Sequence, residues 1–89
     1  MKQISVSSRF RKDYKKSQRQ NRNLKILREV IEKLANDEPL DKKYKNHPLA
    51  GEWKGYSELH LQSDWLLIYK ITQTELRLAR IGSHSELFR

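Results

Sequence analysis

No cysteine occurs in this chain of 89 residues, so its fold depends on packing alone. The absence of cysteine excludes a disulfide scaffold, a thiolate nucleophile, iron–sulfur ligation and every zinc site that uses cysteine. The length fits one domain spanning residues 1–89, with a thin core. The longest apolar run, residues 65–69, is far shorter than the roughly 20 residues that span a bilayer, and the N-terminus has no signal-like segment. These features predict a soluble, cytoplasmic protein without membrane contact.

Positive charge is concentrated in the first half of the chain. The formal net charge is +8, and residues 1–44 contribute 13 basic and 6 acidic side chains, against 6 and 5 in residues 45–89. A basic surface of this kind attracts polyanions, because each neutralised phosphate releases counterions. A solvated, solubilising face is the alternative interpretation. The candidate RNA-binding residues of this stretch are Arg9, Arg11, Lys12, Lys15, Lys16 and Arg19.

Hydrophobic periodicity predicts two helices followed by strands. Residues 2–6 alternate as a short strand, the Ser7-Ser8 pair can cap a helix over residues 9–18, and a second helix runs from Leu24 to Asn36. A long connection over residues 37–52 leads to three strands near residues 56–61, 65–72 and 76–81. The order β-α-α-β-β-β predicts an α+β domain with both helices packed on one face of an antiparallel sheet.

The chain ends in a local helix signal. Ser83-His84-Ser85-Glu86 matches the S-x-x-E capping box, which predicts a short C-terminal turn. His84 then lies at the first position of that turn, near backbone amides that favour anions.

All three histidines lie in the second half of the chain, at positions 47, 60 and 84. Taken alone, His47 is an ordinary loop histidine and Asp64 an ordinary turn residue. His60 lies on the strand side opposite Leu59 and Leu61, so we expect it to point away from the core across an exposed sheet face. Arg80 shares a strand side with Leu76 and Leu78, where it either reaches solvent at an edge or is held near a site.

Two chemistries can use three histidines, an aspartate and an arginine. A zinc site is disfavoured because the histidines are 13 and 24 residues apart and form no local chelating pair. Metal-free cleavage of RNA fits better: one group removes the 2′-OH proton, another protonates the leaving 5′-oxygen, and a cation stabilises the phosphorane. Imidazoles suit both proton transfers since their ordinary pKa lies near 6.5, and a guanidinium binds phosphate oxygens.

Several separate blocks carry a resemblance. They are His47-Pro48-Leu49, residues 51–56 (GEWKGY), residues 58–60 (ELH), residues 64–70 (DWLLIYK) and residues 80–88 (RIGSHSELF). In order and spacing they resemble the YafQ branch of the RelE toxin superfamily, the mRNA interferases of bacterial type II toxin–antitoxin systems. The resemblance implies a RelE-like, microbial-ribonuclease-type fold. It also implies cleavage of mRNA in the ribosomal A site, without a metal or other cofactor, that inhibits translation.

The resemblance also implies roles for individual residues. The catalytic set corresponds to His47, His60, Asp64, Arg80 and His84. We expect His84 to act as general acid, and Arg80 to stabilise the phosphorane. Which of His47, His60 and Asp64 removes the 2′-OH proton stays open. Further candidate RNA-binding residues are Lys54, for a phosphate, and Trp65 or Phe88, for stacking on a base.

The partners implied by the resemblance are a cognate antitoxin of the RelB/DinJ type, mRNA, and the 70S ribosome with its rRNA. The toxin–antitoxin pair together can bind promoter DNA. A different class is a non-catalytic basic toxin that blocks the ribosome or a protein target such as gyrase. The joint presence of three histidines, Asp64 and Arg80 argues against it, because a binder needs no such set. A small DNA-binding regulator is weaker still, since no recognition-helix pattern follows the basic stretch.

Overall fold

Five strands form one sheet in the computed structural model, which describes residues 1–88. The spatial order of the strands is β1-β5-β4-β3-β2. Their bounds are Gln3–Val6 (β1), His47–Pro48 (β2), Ser57–Gln62 (β3), Trp65–Ile71 (β4) and Glu75–Gly82 (β5). The α+β class and the predicted strands are confirmed.

The sheet is mixed, which corrects the predicted antiparallel arrangement. Strand β1 pairs with β5 in parallel, with Ile4 opposite Leu76 and Val6 opposite Leu78, whereas the other three pairings are antiparallel. The direction of β1 follows from its connection, because two helices separate it from the rest of the sheet and parallel neighbours need such a crossover. A pattern of alternating residues does not carry this information.

Two capped helices cover one face of the sheet. Helix α1 is Ser8–Arg19, and the hydroxyl of Ser7 accepts a hydrogen bond from the Phe10 amide. Helix α2 is Leu24–Ala35, with Asn23 as the cap that accepts from the Ile26 amide. A third, four-residue helix α3, His84–Leu87, carries the predicted capping box.

The long connection between α2 and β3 is ordered. It holds two 3₁₀ turns, Lys42–Tyr44 and Gly51–Trp53, on either side of the two-residue strand β2, which sequence periodicity did not predict. Tyr44 and Leu40 pack against the main core and anchor the first turn. The connection therefore delivers His47 to the edge of the sheet in a defined position.

Strand β4 is buried on both of its faces. Trp65, Leu67 and Tyr69 belong to the core beneath the helices, whereas Leu66 and Ile68 belong to a second cluster on the opposite face. That second cluster is closed by Leu87 and by partly buried side chains, which are Leu49, Trp53, Tyr56 and Ala79. The face that carries His60 is therefore covered in part, which corrects the expectation of an exposed sheet face.

None of the helices within residues 1–88 is long and apolar enough to cross a membrane.

Truncation of the central strand is expected to be costly. Leu67 has no exposed surface, so Leu67→Ala should lower the free energy of unfolding by about 2–5 kcal/mol through lost burial and a residual cavity. Ile71, on the same strand, is 41% exposed, and Ile71→Ala should cost clearly less. Urea unfolding followed by circular dichroism measures both, and equal losses would contradict the burial of Leu67 in the main core.

Candidate active site

The register of the sheet aligns site residues from separate strands. Glu58 on β3 lies opposite Ile68 on β4, and Ile68 lies opposite Arg80 on β5. On the other side, Glu58 lies opposite His47 on β2. Cross-strand neighbours share a face of a sheet, so this row belongs to the face of the second cluster.

A β-bulge places Arg80 on that face. The β4–β5 register shifts between Ile68 and Tyr69, so that Tyr69 pairs with Leu78 and Ile68 pairs with Arg80. An extra residue in one strand reverses the alternation beyond it. The expectation that Arg80 shares the side of Leu76 and Leu78 is therefore wrong, because simple alternation cannot anticipate a bulge.

Glu58 connects two of the three histidines. Its carboxylate oxygen Oε1 lies 3.6 Å from Nε2 of His47 and 3.4 Å from Nε2 of His60, while the residue itself is only 4% exposed. A buried carboxylate needs polar partners, and here the two imidazoles provide them. Glu58 was not among the predicted catalytic residues, although its position two residues before His60 on the same strand side was a usable signal.

His47 has both of its ring nitrogens engaged. Nδ1 lies 2.7 Å from the carbonyl oxygen of Lys45, and Nε2 faces Glu58. Lys45 adopts a left-handed backbone conformation with φ of 49°, which turns its carbonyl toward the ring. The loop therefore fixes the orientation of this imidazole.

Asp64 holds the third histidine from the turn between β3 and β4. Its oxygen Oδ1 accepts a hydrogen bond from the His84 backbone amide at 3.0 Å and lies 3.5 Å from Nδ1 of the same residue. Asp64 has φ of 50°, a conformation that aspartate tolerates better than most residues. One carboxylate thus fixes both the start of α3 and the ring that α3 presents.

The three imidazoles form a row that continues to Phe88. The ring centroids of His47 and His60 are 6.3 Å apart, those of His60 and His84 are 5.8 Å apart, and Phe88 follows 6.0 Å from His84. His60 and His84 border a cleft with a volume of about 560 Å³. The fold therefore brings together the side chains of His47, His60, Asp64 and His84, which the sequence analysis placed in one site. Of these, His60 and His84 line the cleft.

Asp13 of helix α1 forms hydrogen bonds with the end of β5. The Asp13 carboxylate accepts from Nε and Nη2 of Arg80, at 2.8 and 3.0 Å, and from the Ile81 amide at 3.2 Å. The hydrogen bonds to Asp13 raise the pKa of the Arg80 guanidinium above its usual value. Arg80 is held in place by Asp13 and does not line the cleft beside His60 and His84, and Asp13 was not predicted as its partner from the sequence.

A second contact from α1 reaches the C-terminal turn. Lys16 forms an ion pair with Glu86, whose Oε1 also accepts the Ser83 amide at 2.8 Å in the capping box. The hydrogen bond from Lys16 is the main cause that lowers the pKa of Glu86 to about 2. Lys16 was expected to contact RNA, and here it stabilises the turn that carries His84.

The other predicted RNA-binding residues fall into two groups. Arg9, Arg11, Lys12, Lys15 and Arg19 of α1, together with Lys54 and Phe88, are exposed. Trp65 is fully buried in the main core, with the Arg22 guanidinium 5.8 Å from its ring centroid. The prediction that Trp65 stacks on a base is wrong, because its strand position directs the indole beneath the helices.

No group of three or more histidine, aspartate, glutamate or cysteine side chains within residues 1–88 is arranged to hold a metal ion. The described site is a set of paired acids and imidazoles.

Comparisons with known proteins identify the family of this chain. Residues 2–89 match the family model described as the bacterial toxin of type II toxin–antitoxin system, YafQ. The mRNA interferase toxin YafQ of Escherichia coli K12 is 42% identical over 86 residues, which cover 96% of this chain and 94% of that protein. The chain belongs to the YafQ family of type II toxins.

Solved structures show the same fold. The E. coli DinJ–YafQ toxin–antitoxin complex matches with a TM-score of 0.91 and 40% identity, covering 99% of this chain and 98% of that one. A metal-bound toxin from Helicobacter pylori matches with a TM-score of 0.93 and 46% identity, covering 99% and 100%. The predicted RelE-like fold is confirmed.

The contact between α1 and α3 should make stability depend on pH. Because the folded pKa of Glu86 is depressed to about 2, its contribution is complete above the ordinary pKa of 4.5 and is lost as the pH falls toward 2. Glu86→Gln should cost about 1–2 kcal/mol at neutral pH, and the difference from wild type should shrink between pH 5 and pH 2. Urea unfolding at several pH values measures it.

Lys16→Met removes the same ion pair from the other side and should show the same pH trend with a smaller loss at neutral pH. Stability curves for wild type and Glu86→Gln that stay parallel down to pH 2 would refute the assignment.

Proposed function

We propose that this toxin, a single domain over residues 1–89, is an endoribonuclease that cleaves mRNA in the ribosomal A site and so inhibits translation. The observation that carries the proposal is the pairing of acids and imidazoles: Asp64 with His84, and Glu58 with His47 and His60. Two separately oriented imidazoles beside one cleft suit the two proton transfers of RNA cleavage. The name of the E. coli relative, mRNA interferase, supports the same activity.

His84 acts as the general acid. Its Nδ1 faces Asp64, and its Nε2 has no partner within residues 1–88, so Nε2 is available to protonate the leaving 5′-oxygen. The ring stands on the capped turn α3 at the mouth of the cleft and is more than half exposed. Asp64 is then the positioning residue that keeps the ring in this orientation.

His60 acts as the general base. Its Nε2 faces Glu58, and its Nδ1 has no partner within the described residues, whereas both nitrogens of His47 are engaged. Nδ1 of His60 removes the 2′-OH proton, the 2′-oxygen attacks phosphorus, and the bond to the 5′-oxygen breaks as His84 delivers its proton. The products are a 2′,3′-cyclic phosphate and a 5′-hydroxyl. His60 accepts one proton and His84 donates one, so the proposed proton transfers require no metal.

Arg80 and Phe88 complete the substrate contacts. Asp13 engages Nε and Nη2 of Arg80, and we assign the stabilisation of the phosphorane charge to Nη1, which has no hydrogen-bond partner within residues 1–88. Phe88 is 40% exposed at the end of the row of rings, where it can stack on a base. The exposed basic side chains of α1 then engage rRNA, and Lys54 contacts a phosphate.

A cognate antitoxin is the proposed protein partner. The E. coli relative is found in a complex with DinJ, and the net charge of +8 on this chain suits a partner with acidic segments. Complementary charge would speed association and set the register of the two chains.

Replacement of His84 should abolish cleavage and leave the fold intact. His84→Ala keeps the backbone amide that donates a hydrogen bond to Asp64, so α3 should persist while the imidazole that donates the proton is lost. In a reconstituted translation mix with a defined mRNA, we expect wild type to cut between codon positions and the variant to be at least about 10²-fold slower. Primer extension maps the ends, and a chelator selective for transition metals should leave wild-type cleavage unchanged.

The matched control is Glu29→Ala on the exposed face of α2, which should cut like wild type. Full cleavage by His84→Ala would refute its role as acid. Translation arrest without cuts, equal in wild type and His84→Ala, would favour the non-catalytic toxin that binds the ribosome or another target.

Replacement of the other two histidines should show which of them is the general base and which only supports the site. His60→Ala should lower kcat by about 10²–10⁴-fold because it removes the proton acceptor, while His47→Ala should have a smaller effect through the loosened Glu58. Single-turnover cleavage of programmed ribosomes gives both rates. A larger effect of His47→Ala would reverse the assignment of the base.

A further inference from the structure

One wall of the active-site cleft has no assigned role. The cleft lies between residues 43–45, at the end of the first 3₁₀ turn, and residues 60–64, with His84 at its rim. The second wall and the rim carry the proposed catalytic residues. The first wall consists of Lys43, Tyr44 and Lys45, of which both lysines are exposed.

The charges around the cleft indicate that these lysines attract the phosphates of a bound strand. Asp64 lies in the cleft wall and is 61% exposed in its side chain, so an entering phosphodiester meets a carboxylate. Arg80 is not part of the cleft lining, and its guanidinium is already paired with Asp13. Lys43 and Lys45 are the permanently cationic side chains that line the cleft within residues 1–88.

The segment that carries the lysines is held in place by contacts with the rest of the protein. Asp41 caps it by accepting the Lys43 amide at 2.9 Å, and Tyr44 packs against the main core with the Lys43 ammonium 5.3 Å from its ring centroid. The Lys45 carbonyl is fixed by His47. Anchored backbone with exposed ammonium groups is suited to a repeating anionic ligand, because little loop entropy is lost on binding.

We propose that Lys43 and Lys45 form a phosphate-binding subsite for the mRNA nucleotides next to the scissile bond. This inference rests on the proposed function, since it places the scissile phosphate between His60 and His84. An RNA strand fits better than an acidic peptide because the same cleft is lined by His60 and His84, each with one ring nitrogen that has no partner within residues 1–88. Successive phosphates along the strand would then be held on the lysine wall, and the lysines act on affinity rather than on the proton transfers.

Lys45 allows a clean test. Lys45→Gly removes the ammonium and suits the left-handed backbone, so the unfolding free energy should not fall. Lys43→Met removes the other charge, and Lys42→Met, on the same turn but outside the cleft lining, is the matched control. Binding is measured to ribosomes programmed with an mRNA that carries a 2′-deoxy sugar at the cleavage site and therefore cannot be cut.

We expect Lys43→Met and Lys45→Gly each to raise Kd about 5- to 20-fold and to reduce the slope of log K against log salt by about 0.7–0.9, while Lys42→Met stays near wild type. With cleavable mRNA, Lys43→Met, which leaves the Lys45 carbonyl and its contact with His47 in place, should raise KM and change kcat less than about twofold. Wild-type Kd in both lysine variants would overturn the subsite. An unchanged Kd for the ribosome complex with weakened binding of the cognate antitoxin would overturn it as well, and would assign the wall to the protein partner.

Wild-type cleavage is measured in parallel, so that the two proposals fail separately. If wild type binds the programmed ribosome through the lysines but never cuts, the catalytic proposal fails and the lysines remain a phosphate-binding wall without a scissile bond beside it. If wild type cuts and the lysine variants bind and cut equally well, only the subsite fails.

Discussion

The burial of β4 on both faces is the constraint on which the rest of this structure depends. A strand with apolar side chains on both sides must lie inside the sheet, and its neighbours must pair in a register that buries Leu67 on one side and Ile68 on the other. A shift of one residue would move every side chain of β3 or β5 to the wrong face. The register that protects the two cores is the same register that places Glu58 opposite Ile68 and His60 opposite Leu66. Packing and chemistry are therefore specified by one pairing.

Much of this arrangement could be predicted from local patterns. The caps Ser7 and Ser83 act as the sequence indicates, because a short polar side chain at the start of a helix accepts hydrogen bonds from backbone amides that lack a partner within the helix. The strands β3, β4 and β5 were likewise predicted from local sequence patterns. The assembly of distant histidines was inferred from a family resemblance, since separations of 13 and 24 residues have no spacing rule.

The parts that could not be predicted depend on which strands pair and in which register. The parallel direction of β1, the bulge that turns Arg80, and the two-residue strand at His47 are each fixed by a neighbouring strand and not by the local sequence pattern. The same holds for Asp13, which is an ordinary acid in a basic helix until Arg80, 67 residues away, is brought beside it. Trp65 shows the converse. It is adjacent to Asp64 in sequence, yet its side chain is buried in the core whereas the side chain of Asp64 is mostly exposed.

Electrostatics divide the molecule into a basic helix surface and a site of paired charges. Exposed cations on α1 are suited to long-range attraction of a polyanion, which does not require precise placement. At the site, precise placement matters, and each imidazole faces a carboxylate: Asp64 for His84, Glu58 for His47 and His60. Helix α1 joins the two regions, since Asp13 and Lys16 turn toward β5 and α3 while the remaining basic residues face solvent. The helix that would attract RNA thus also holds the end of the chain on which the proposed proton donor stands.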